Sequence, residues 1–254
     1  MLLFHDTHHR AVSDPPALKS YDLSRFDGVL AFGESLTQVY RLWGWGARAF
    51  TWHEAADISV FAPPDVEGPR TGAVWIGNWG DAERSGELQD YLLRPLHDEH
   101  ILLDVHGVRY PPDALNHLAD WGAHYHGWLP NAEAPGVFAH HRMTLHVPRR
   151  WYAARLPGIP TIRVFEALAC AIPLISAPWQ DCESLFSAGV DFLLADSPSA
   201  MRAHVRAVQN DADLRADLAA HGLATVRARH TCEHRIEELL RTIAALRGVR
   251  AEAA

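Results

Sequence analysis

The sequence predicts an α/β protein in which parallel strands alternate with helices. Three observations support this fold class. Short apolar runs recur along the 254 residues and are separated by segments with helical periodicity. A break rich in proline and glycine, FAPPDVEGPRTG, interrupts this pattern at residues 61–72. The alternation restarts after the break and ends in a helical region. We therefore expect a partial N-terminal α/β domain followed by a Rossmann-like parallel-sheet domain.

Residues 1–61 are expected to form the partial domain. Apolar runs at 2–4 and 28–32 predict strands, 35–43 predicts a helix, and another short apolar run follows at 47–52. About sixty residues are few for an independent core. We expect a domain that lacks its front half, and whose apolar surface favours a homo-oligomer or a partner that supplies the missing half.

Residues 62–70 predict a linker and residues 71–230 the Rossmann-like domain. There GAVWIGN, ILLDVHG, AHYHGWLP, RMTLHVP, PLIS and DFLLAD predict strands, while 83–97, 112–121 and the segment around FEALA predict helices. Parallel strands that are buried on both faces have such continuous apolar runs. Residues 231–254 predict a C-terminal helix and tail, with one packed stripe made of Ile236, Leu239, Leu240, Ile243 and Leu246.

Composition limits the function classes. The chain has 48% hydrophobic and 21% charged residues, as in ordinary soluble proteins. A net charge of -8 argues against a nucleic-acid partner, since such binding neutralises phosphates with Lys and Arg. The cysteines form no CxxC pair, which favours a reducing, cytoplasmic location. No apolar run approaches the about 20 residues of a transmembrane segment.

Glycine-containing loops follow several of the predicted strands. Ligands of an open parallel sheet bind beyond the carboxyl ends of its strands, so residues 77–80, 127–129, 148–150 and 158–163 should converge. Close backbone approach, a helix N-terminus and an arginine fork all suit a phosphate. Arg163 and Glu166 lie one helical turn apart. Either they form a salt bridge, or Arg163 contacts phosphate while Glu166 accepts ribose hydroxyls.

The string TIRVFEALACAIPLIS resembles the signature R-x-FEALA-x-G-x-P-L-I-S of CgeB-like, spore-maturation-type glycosyltransferases, which have the two-domain B-type glycosyltransferase fold. GAVWIGN, HGWLP and SLFSAGVDFLLADSP match in the same order, so the resemblance covers residues 57–247. It implies transfer of a sugar from a nucleotide-diphosphate donor, a co-substrate, to an unknown acceptor, with no metal or other cofactor. Two positions depart from the pattern. Gly158 stands where related retaining enzymes have a second glutamate, and Ala171 where the signature prefers glycine.

The resemblance also implies which residues bind the donor. They are Glu166 for the ribose, Arg84 and Arg163 for the diphosphate charge, Gly77 and Asn78 for the loop near the phosphates, and Gly127, Trp128 and Leu129 for the loop beside the base.

The motif HDTHH, residues 5–9, directly follows the first predicted strand. Zinc needs three or four converging ligands, whereas neighbouring histidines on an extended chain point opposite ways, so no metal site is expected. Asp6, His8 and His9 are candidate catalytic residues for acceptor contact or proton transfer, with ordinary surface or core residues as the alternative. His53 and Glu54 either face the cleft or stabilise the hinge before the linker, of which the hinge role is expected, and His146 is expected to be a packed residue beside a buried strand.

The leading hypothesis is thus an enzyme, a glycosyltransferase of the hexosyltransferase type. A non-catalytic nucleotide-sugar-binding module, or a half-enzyme that needs a partner, is the alternative from another class. A nucleotide-sugar epimerase is a third hypothesis.

Overall fold

The computed structural model describes residues 1–66, 68–80 and 83–252. Its strands are β1 (Leu3–Asp6), β2 (Gly28–Ala31), β3 (Ala49–Thr51), β4 (Thr71–Ile76), β5 (Leu103–His106), β6 (His124–Gly127), β7 (His141–His146), β8 (Leu174–Ser176) and β9 (Leu193–Leu194). They form a three-stranded sheet in the order β1-β2-β3 and a six-stranded sheet in the order β6-β5-β4-β7-β8-β9. Every neighbouring pair in both sheets is parallel.

Helices connect these strands. They are α1 (Arg10–Ser13), α2 (Pro15–Lys19), α3 (Glu34–Tyr40), α4 (Ser85–Leu88), α5 (Arg94–Asp98), α6 (Pro112–Asp120), α7 (Ala134–His140), α8 (Arg150–Arg155), α9 (Ile162–Ala169), α10 (Pro198–Asn210), α11 (Ala212–Arg229) and α12 (Cys232–Glu252). π-helical turns at Arg41–Trp45 and Gln89–Leu93 extend α3 and join α4 to α5, and 3-10 turns lie at Gly46–Arg48 and Asn131–Glu133.

The smaller sheet has its own apolar core. Strand β2 is buried along its whole length, as expected for the central strand of the three. Leu36 and Tyr40 of α3 are fully buried against it. Gly44, with φ of 94°, lies inside the π-helical turn that follows α3, where the positive dihedral interrupts regular helix geometry.

The larger sheet is covered on both faces. Successive residues of a strand point to opposite faces, and β4 accordingly contributes Trp75 to one apolar cluster and Val74 to another. The first cluster contains Leu92 and Leu96, and the second contains Phe165 of α9. The predicted α/β fold class with parallel sheets is confirmed.

Two helices of the larger part were not predicted. Helix α7 contains Pro135 and Gly136, which both argue against a helix interior. Pro135 lies in the first turn, where its missing N–H costs nothing, and Phe138 is fully buried one turn later. Tertiary burial therefore outweighs the weak local propensity. The other missed helix is the short α8.

Helix α12 returns from the larger part to the smaller sheet. Nε1 of Trp52 donates to the carbonyl of Arg235 at 2.8 Å, and Nε of Arg235 donates to the carbonyl of Glu54 at 3.2 Å. Further along, Leu246 is buried close to Gly28 of β2. This helix packs the end of the chain against its beginning.

The predicted stripe of α12 was partly wrong. Ile236 and Leu240 are 56% and 61% exposed, whereas Arg235, Thr242 and Leu246 are buried. The buried positions recur at helical spacing from Arg235, whereas the predicted apolar stripe began at Ile236. The face of α12 that packs against the protein is therefore shifted by one residue from the predicted stripe. Arg235, a polar member of this face, donates from Nε to the carbonyl of Glu54 in the smaller part.

Some sequence-based expectations concern residues outside the described part. Residue 67 of the predicted linker, and residues 253 and 254 of the predicted tail, belong to this group. The domain boundaries at 61, 70 and 230 stay a prediction. None of the helices among residues 1–66, 68–80 and 83–252 combines the length and apolar composition of a membrane span.

Candidate functional site

A cavity of about 310 Å³ lies where the carboxyl ends of the two sheets face each other. Loops that follow the strands line it, as the rule for parallel sheets predicts. The smaller sheet contributes Thr7 and His8 after β1, Phe32 after β2 and Glu54 after β3. The larger part contributes Trp75, Ile76, Gly77, Asn78, Arg84, Leu145, His146, Arg149, Tyr152, Thr161, Ile162 and Arg163. The cavity is therefore a cleft with one wall from the smaller sheet and the other from the larger part.

Arg84 is a buried cation in the cavity wall. Its Nη1 donates to the carbonyl of Val147 at 2.9 Å, its Nη2 donates to that of Asn78 at 2.5 Å, and its guanidinium lies 5.0 Å from the Trp75 ring centroid. Burial, with the nearby Arg149, lowers the pKa of Arg84 to about 10. Nε has no hydrogen-bond partner in the described residues. These contacts fix the position of the guanidinium, and its positive charge can bind an anion.

The loop between β4 and α4 is shaped to accept this arginine. Gly80 has φ of 99°, and a Cβ there would lie 2.7 Å from Cγ of Arg84. Gly77 lies so close to the Trp75 ring that a Cβ would approach it to 2.8 Å. Gly77 and Asn78 both line the cavity, so the backbone of this loop can approach a ligand.

Arg149 lines the same cavity from the loop after β7. Its Nη1 lies 3.3 Å from Oε2 of Glu83, a carboxylate that also lies 3.4 Å from Nε2 of His9. The neighbouring Arg150 points elsewhere and pairs with Glu87 at 3.0 Å. The two adjacent arginines therefore have different roles, and only Arg149 is a cavity residue.

Arg163 and Glu166 of α9 form a salt bridge of 2.6 Å between Nη1 and Oε2. Asn131 completes the group, because its Nδ2 donates to Oε1 of Glu166 at 3.1 Å and its Oδ1 accepts from Arg163 at 3.3 Å. Burial raises the pKa of Glu166, and Arg163 and Asn131 partly offset this effect. Arg163 lines the cavity, and Glu166 lies behind it. Arg163 and Glu166 thus form a salt bridge and also lie at the cleft, so the two alternatives for this pair do not exclude each other. The ribose contact of Glu166 stays a prediction.

The N-terminal end of α9 faces the cavity through Thr161 and Ile162. The side chain of Thr161, the N-cap residue, makes no capping hydrogen bond with the helix. The first N–H groups of a helix carry a partial positive charge and bind anions. Arg84, Arg149 and Arg163 thus surround an end of a helix that also favours negative charge.

The loop predicted to lie beside the base does not line this cavity. Gly127 ends β6 with φ of 80°, and its carbonyl accepts from the N–H of Gly107 at 2.8 Å. The Trp128 side chain is 70% exposed, and Leu129 packs partly against the apolar cluster of α9. Their role in base binding stays a prediction.

Of the three candidate catalytic residues, His8 alone lines the cavity. Asp6 is buried behind it and accepts from the Tyr40 hydroxyl at 2.7 Å and from the N–H of His8 at 3.0 Å. His9 is buried, with Nδ1 2.9 Å from Oγ of Ser13. Burial, followed by nearby cations, lowers the pKa of His8. In the described residues, no three His, Cys, Asp or Glu side chains converge as a metal site.

Sequence reasoning gave too little weight to two cavity residues. Glu54 was expected at a hinge, yet it lines the cavity, and its Oε2 is buried without a partner in the described residues. Burial, followed by the negative charge of Glu166, raises the pKa of Glu54 to about 8. The position of Glu54 just after a parallel strand was the signal that could have found it.

His146 is the second of these residues. Nδ1 of His146 lies 2.8 Å from Oγ of Ser176, and the same hydroxyl oxygen lies 2.8 Å from the carbonyl of Ala177. Nε2 of His146 is buried without a partner in the described residues. Burial, followed by Arg84, lowers the pKa of His146 to about 3, so this imidazole stays neutral.

A sequence comparison with protein families matches residues 84–241 to a family described as "Glycosyl transferase-like". This match covers more than half of the chain. Among curated proteins, the comparison finds no significant match.

Comparison with solved structures finds the same fold in several glycosyltransferases. HepE from Anabaena, solved in complex with UDP and glucose, is 14% identical and aligns with a TM-score of 0.71 over 96% of this chain and 71% of its own. Sucrose-phosphate synthase from Thermosynechococcus elongatus is 13% identical, with a TM-score of 0.68 over 94% and 64%. TarM is 11% identical, with a TM-score of 0.65 over 86% and 44%. The chain therefore spans less than half of the length of TarM.

Proposed function

Because the chain belongs to the glycosyl transferase-like family, we propose that it transfers a sugar, of the hexose type, from a nucleotide-diphosphate donor to a hydroxyl-bearing acceptor. The sequence TIRVFEALACAIPLIS favours the CgeB-like subtype within the B-type glycosyltransferases. UDP-glucose is the first donor to test, since HepE has been solved with it and with UDP.

One observation carries the proposal. Arg84, Arg149 and Arg163 line one cavity together with the uncapped N-terminal end of α9. In a chain with a net charge of -8, such a concentration of positive charge in one cleft calls for an anionic ligand. A diphosphate fits this requirement, because arginine and helix N-termini are common phosphate ligands.

The chemistry of transfer uses the same groups. The bond between the anomeric carbon and a diphosphate oxygen breaks, the acceptor oxygen bonds to that carbon, and the acceptor loses its hydroxyl proton. Negative charge develops on the leaving diphosphate, and preorganised cations stabilise it. Three arginines supply this stabilisation, so the proposed reaction requires no metal ion or other cofactor.

The remaining contacts follow from the positions of the residues. Glu166, oriented by Arg163 and Asn131, binds the ribose, while Gly77 and Asn78 lie next to the phosphates. Trp128 presents an exposed ring for the base, flanked by Gly127 and Leu129.

His8 faces the acceptor and takes up its proton, whereas Asp6 and His9 position it. Asp6 accepts from the N–H of His8, and the ring centroids of His8 and His9 lie 4.1 Å apart. The proposal includes a cytoplasmic location and association with another copy of the chain or with a partner protein.

Calorimetry tests donor binding. The wild type is titrated with UDP-glucose, GDP-mannose, UDP and GDP, beside Arg149→Met, Glu166→Ala and the control Arg150→Met. Arg149→Met should weaken donor binding by roughly 10-fold or more, since charge-assisted hydrogen bonds contribute about 1.5–3 kcal/mol. Arg150 lies outside the cavity, so Arg150→Met should bind as the wild type does. A wild type that binds none of the four ligands would refute the proposal.

Turnover separates the enzyme from a binding module. The release of nucleoside diphosphate and the formation of a glycosylated product are followed by mass spectrometry against a library of hydroxyl-bearing acceptors. Binding without transfer would favour the alternative of a nucleotide-sugar-binding module.

A further inference from the structure

Glu54 is a buried carboxyl group on the wall of the cleft that faces the arginines. It follows β3 of the smaller sheet, while Arg84, Arg149 and Arg163 belong to the larger part. Oε2 is buried and accepts no hydrogen bond from the described residues. A buried polar atom without a partner is costly, and one that lines a cavity can gain its partner from a ligand.

The backbone around Glu54 is fixed on both sides of the residue. The carbonyl of Glu54 accepts from Nε of Arg235 at 3.2 Å, and Nε1 of Trp52 donates to the carbonyl of Arg235 at 2.8 Å. The adjacent His53 has its Nε2 2.7 Å from Oε2 of Glu183. These contacts hold the backbone of residues 52–54 in place. The fold therefore sets the position from which the Glu54 side chain enters the cleft.

Burial and one like charge favour the neutral form of Glu54. The like charge is that of Glu166 on α9, and Tyr152 on α8, another cavity residue, interacts with Glu54 electrostatically. The nearest cation of α12, Arg235, is committed to Glu238 at 2.6 Å, and His53 is committed to Glu183. Burial and Glu166 together raise the pKa of Glu54 to about 8. A neutral carboxyl group donates one hydrogen bond and accepts another, which complements a hydroxyl group.

The ligand group at this wall follows from the arrangement of charge. The diphosphate is attracted to the three arginines and the N-terminal end of α9, and repelled by any additional carboxylate. In the pose that the proposed function assumes, with the ribose at Glu166, the sugar extends from the diphosphate toward the smaller sheet. A sugar presents hydroxyl groups and no charge, as a neutral carboxyl group requires.

We propose that the carboxyl group of Glu54 binds a hydroxyl group of the sugar that the donor carries, donating through its O–H and accepting at its other oxygen. This inference rests on the proposed function and adds a residue of the smaller sheet to the donor site. Glu54 selects for the sugar, and it leaves the affinity for the nucleoside diphosphate unchanged.

The experiment compares two variants that separate hydrogen bonding from charge. Glu54→Gln keeps both a donor and an acceptor, whereas Glu54→Ala keeps neither. Calorimetry with UDP-glucose and GDP-mannose, each paired with UDP or GDP, is performed on both variants and the wild type. Glu237→Ala, which removes an exposed carboxylate on α12, is the control. Binding of the diphosphates also reports whether each variant is folded.

The expected pattern is specific to the sugar. At pH 7, Glu54→Ala weakens binding of the nucleotide sugar roughly 10-fold and leaves diphosphate binding within about threefold, while Glu54→Gln stays near the wild type in both. As pH rises through about 8, affinity of the wild type for the nucleotide sugar falls, because the ionised carboxyl can no longer donate. Glu54→Gln shows no such fall.

Three results would overturn the inference. If Glu54→Ala binds the nucleotide sugar as tightly as the wild type, Glu54 does not contact the sugar, and the proposed function still stands. If Glu54→Gln loses as much affinity as Glu54→Ala, the ionised carboxylate is the binding form. If the wild type binds none of the four ligands, this inference and the proposed function both fail.

Discussion

Replacing Glu54 with glutamine should stabilise the protein at alkaline pH. The pKa of Glu54 is raised from its ordinary value of 4.5 to about 8 by burial and by Glu166. Between these two values the unfolded chain has released the proton and the folded chain has kept it, so stability falls as pH rises through this window. At about 1.4 kcal/mol per pH unit, the ceiling of the loss is about 5 kcal/mol. Solvent reaches the cleft, so we expect about 1–3 kcal/mol.

Urea denaturation at pH 5 and pH 9 measures this effect. The measured quantity is the free energy of unfolding of Glu54→Gln minus that of the wild type. This difference should be about 1–3 kcal/mol larger at pH 9 than at pH 5. Glu237→Gln removes a carboxylate that is 69% exposed and should change by less than about 0.5 kcal/mol. If Glu54→Gln and the wild type lose stability in parallel between the two pH values, the Glu54 carboxyl is not desolvated, and the reasoning is refuted.

Four further predictions concern the cleft and the segments next to it. Gly158 has φ of 89°, and a Cβ there would lie 2.7 Å from Oε1 of Glu183, so Gly158→Ala should lower the free energy of unfolding by about 1–3 kcal/mol in urea titrations. Ala171 has φ of 52°, a strained value for alanine, so Ala171→Gly should raise the free energy of unfolding by up to about 1 kcal/mol in the same titrations. Glu183→Ala removes the acceptor of the Glu34 N–H at 2.9 Å and the partner of His53, so its melting temperature should fall, by an equivalent of about 1–3 kcal/mol; an unchanged value would show that this contact contributes nothing. Burial lowers the pKa of His146 to about 3, so the unfolded chain binds an extra proton below about pH 6.5, and His146→Phe should lose less stability than the wild type between pH 6.5 and pH 4 in the same titrations.

Strands β4 and β8 of the larger sheet could be predicted because most of their residues are buried on both faces. GAVWIGN and PLIS are short and mostly apolar runs, as expected of such strands, whereas β6 is largely exposed. Helix α7 could not be predicted in the same way. Its proline and glycine signal a loop, and its stability comes from burying Phe138 against residues distant in the sequence. Local patterns carry no information on such contacts.

Ala171 shows how a sequence departure acquires a physical meaning. The CgeB-like signature prefers glycine at this position, and Ala171 adopts φ of 52°, a conformation that glycine reaches without strain. The preference thus concerns the backbone after α9, where the chain turns toward β8. Gly158 is different, because the space beside it is filled by Glu183, which is already hydrogen-bonded to the N-terminal end of α3.

The candidate site could be located from topology, but the chemical state of its residues could not. Arg84 and Arg163 follow from loop position and resemblance, and both line the cavity. The importance of Glu54 depends on Glu166, which is more than a hundred residues away in the chain and comes close only through packing. The contact of His146 with Ser176 on the neighbouring strand is likewise a result of packing. Such contacts and the charge state are tertiary properties.

Residues 52–54 tie the smaller sheet to the rest of the chain. Trp52 and Glu54 are bonded to Arg235 of α12, and His53 is paired with Glu183 of the larger part. The contacts of Asp6 with the N–H of His8 and with the Tyr40 hydroxyl, by contrast, lie within the smaller part. The wall of the cleft that carries Glu54 is therefore anchored across the two parts, a property that no local sequence pattern reveals.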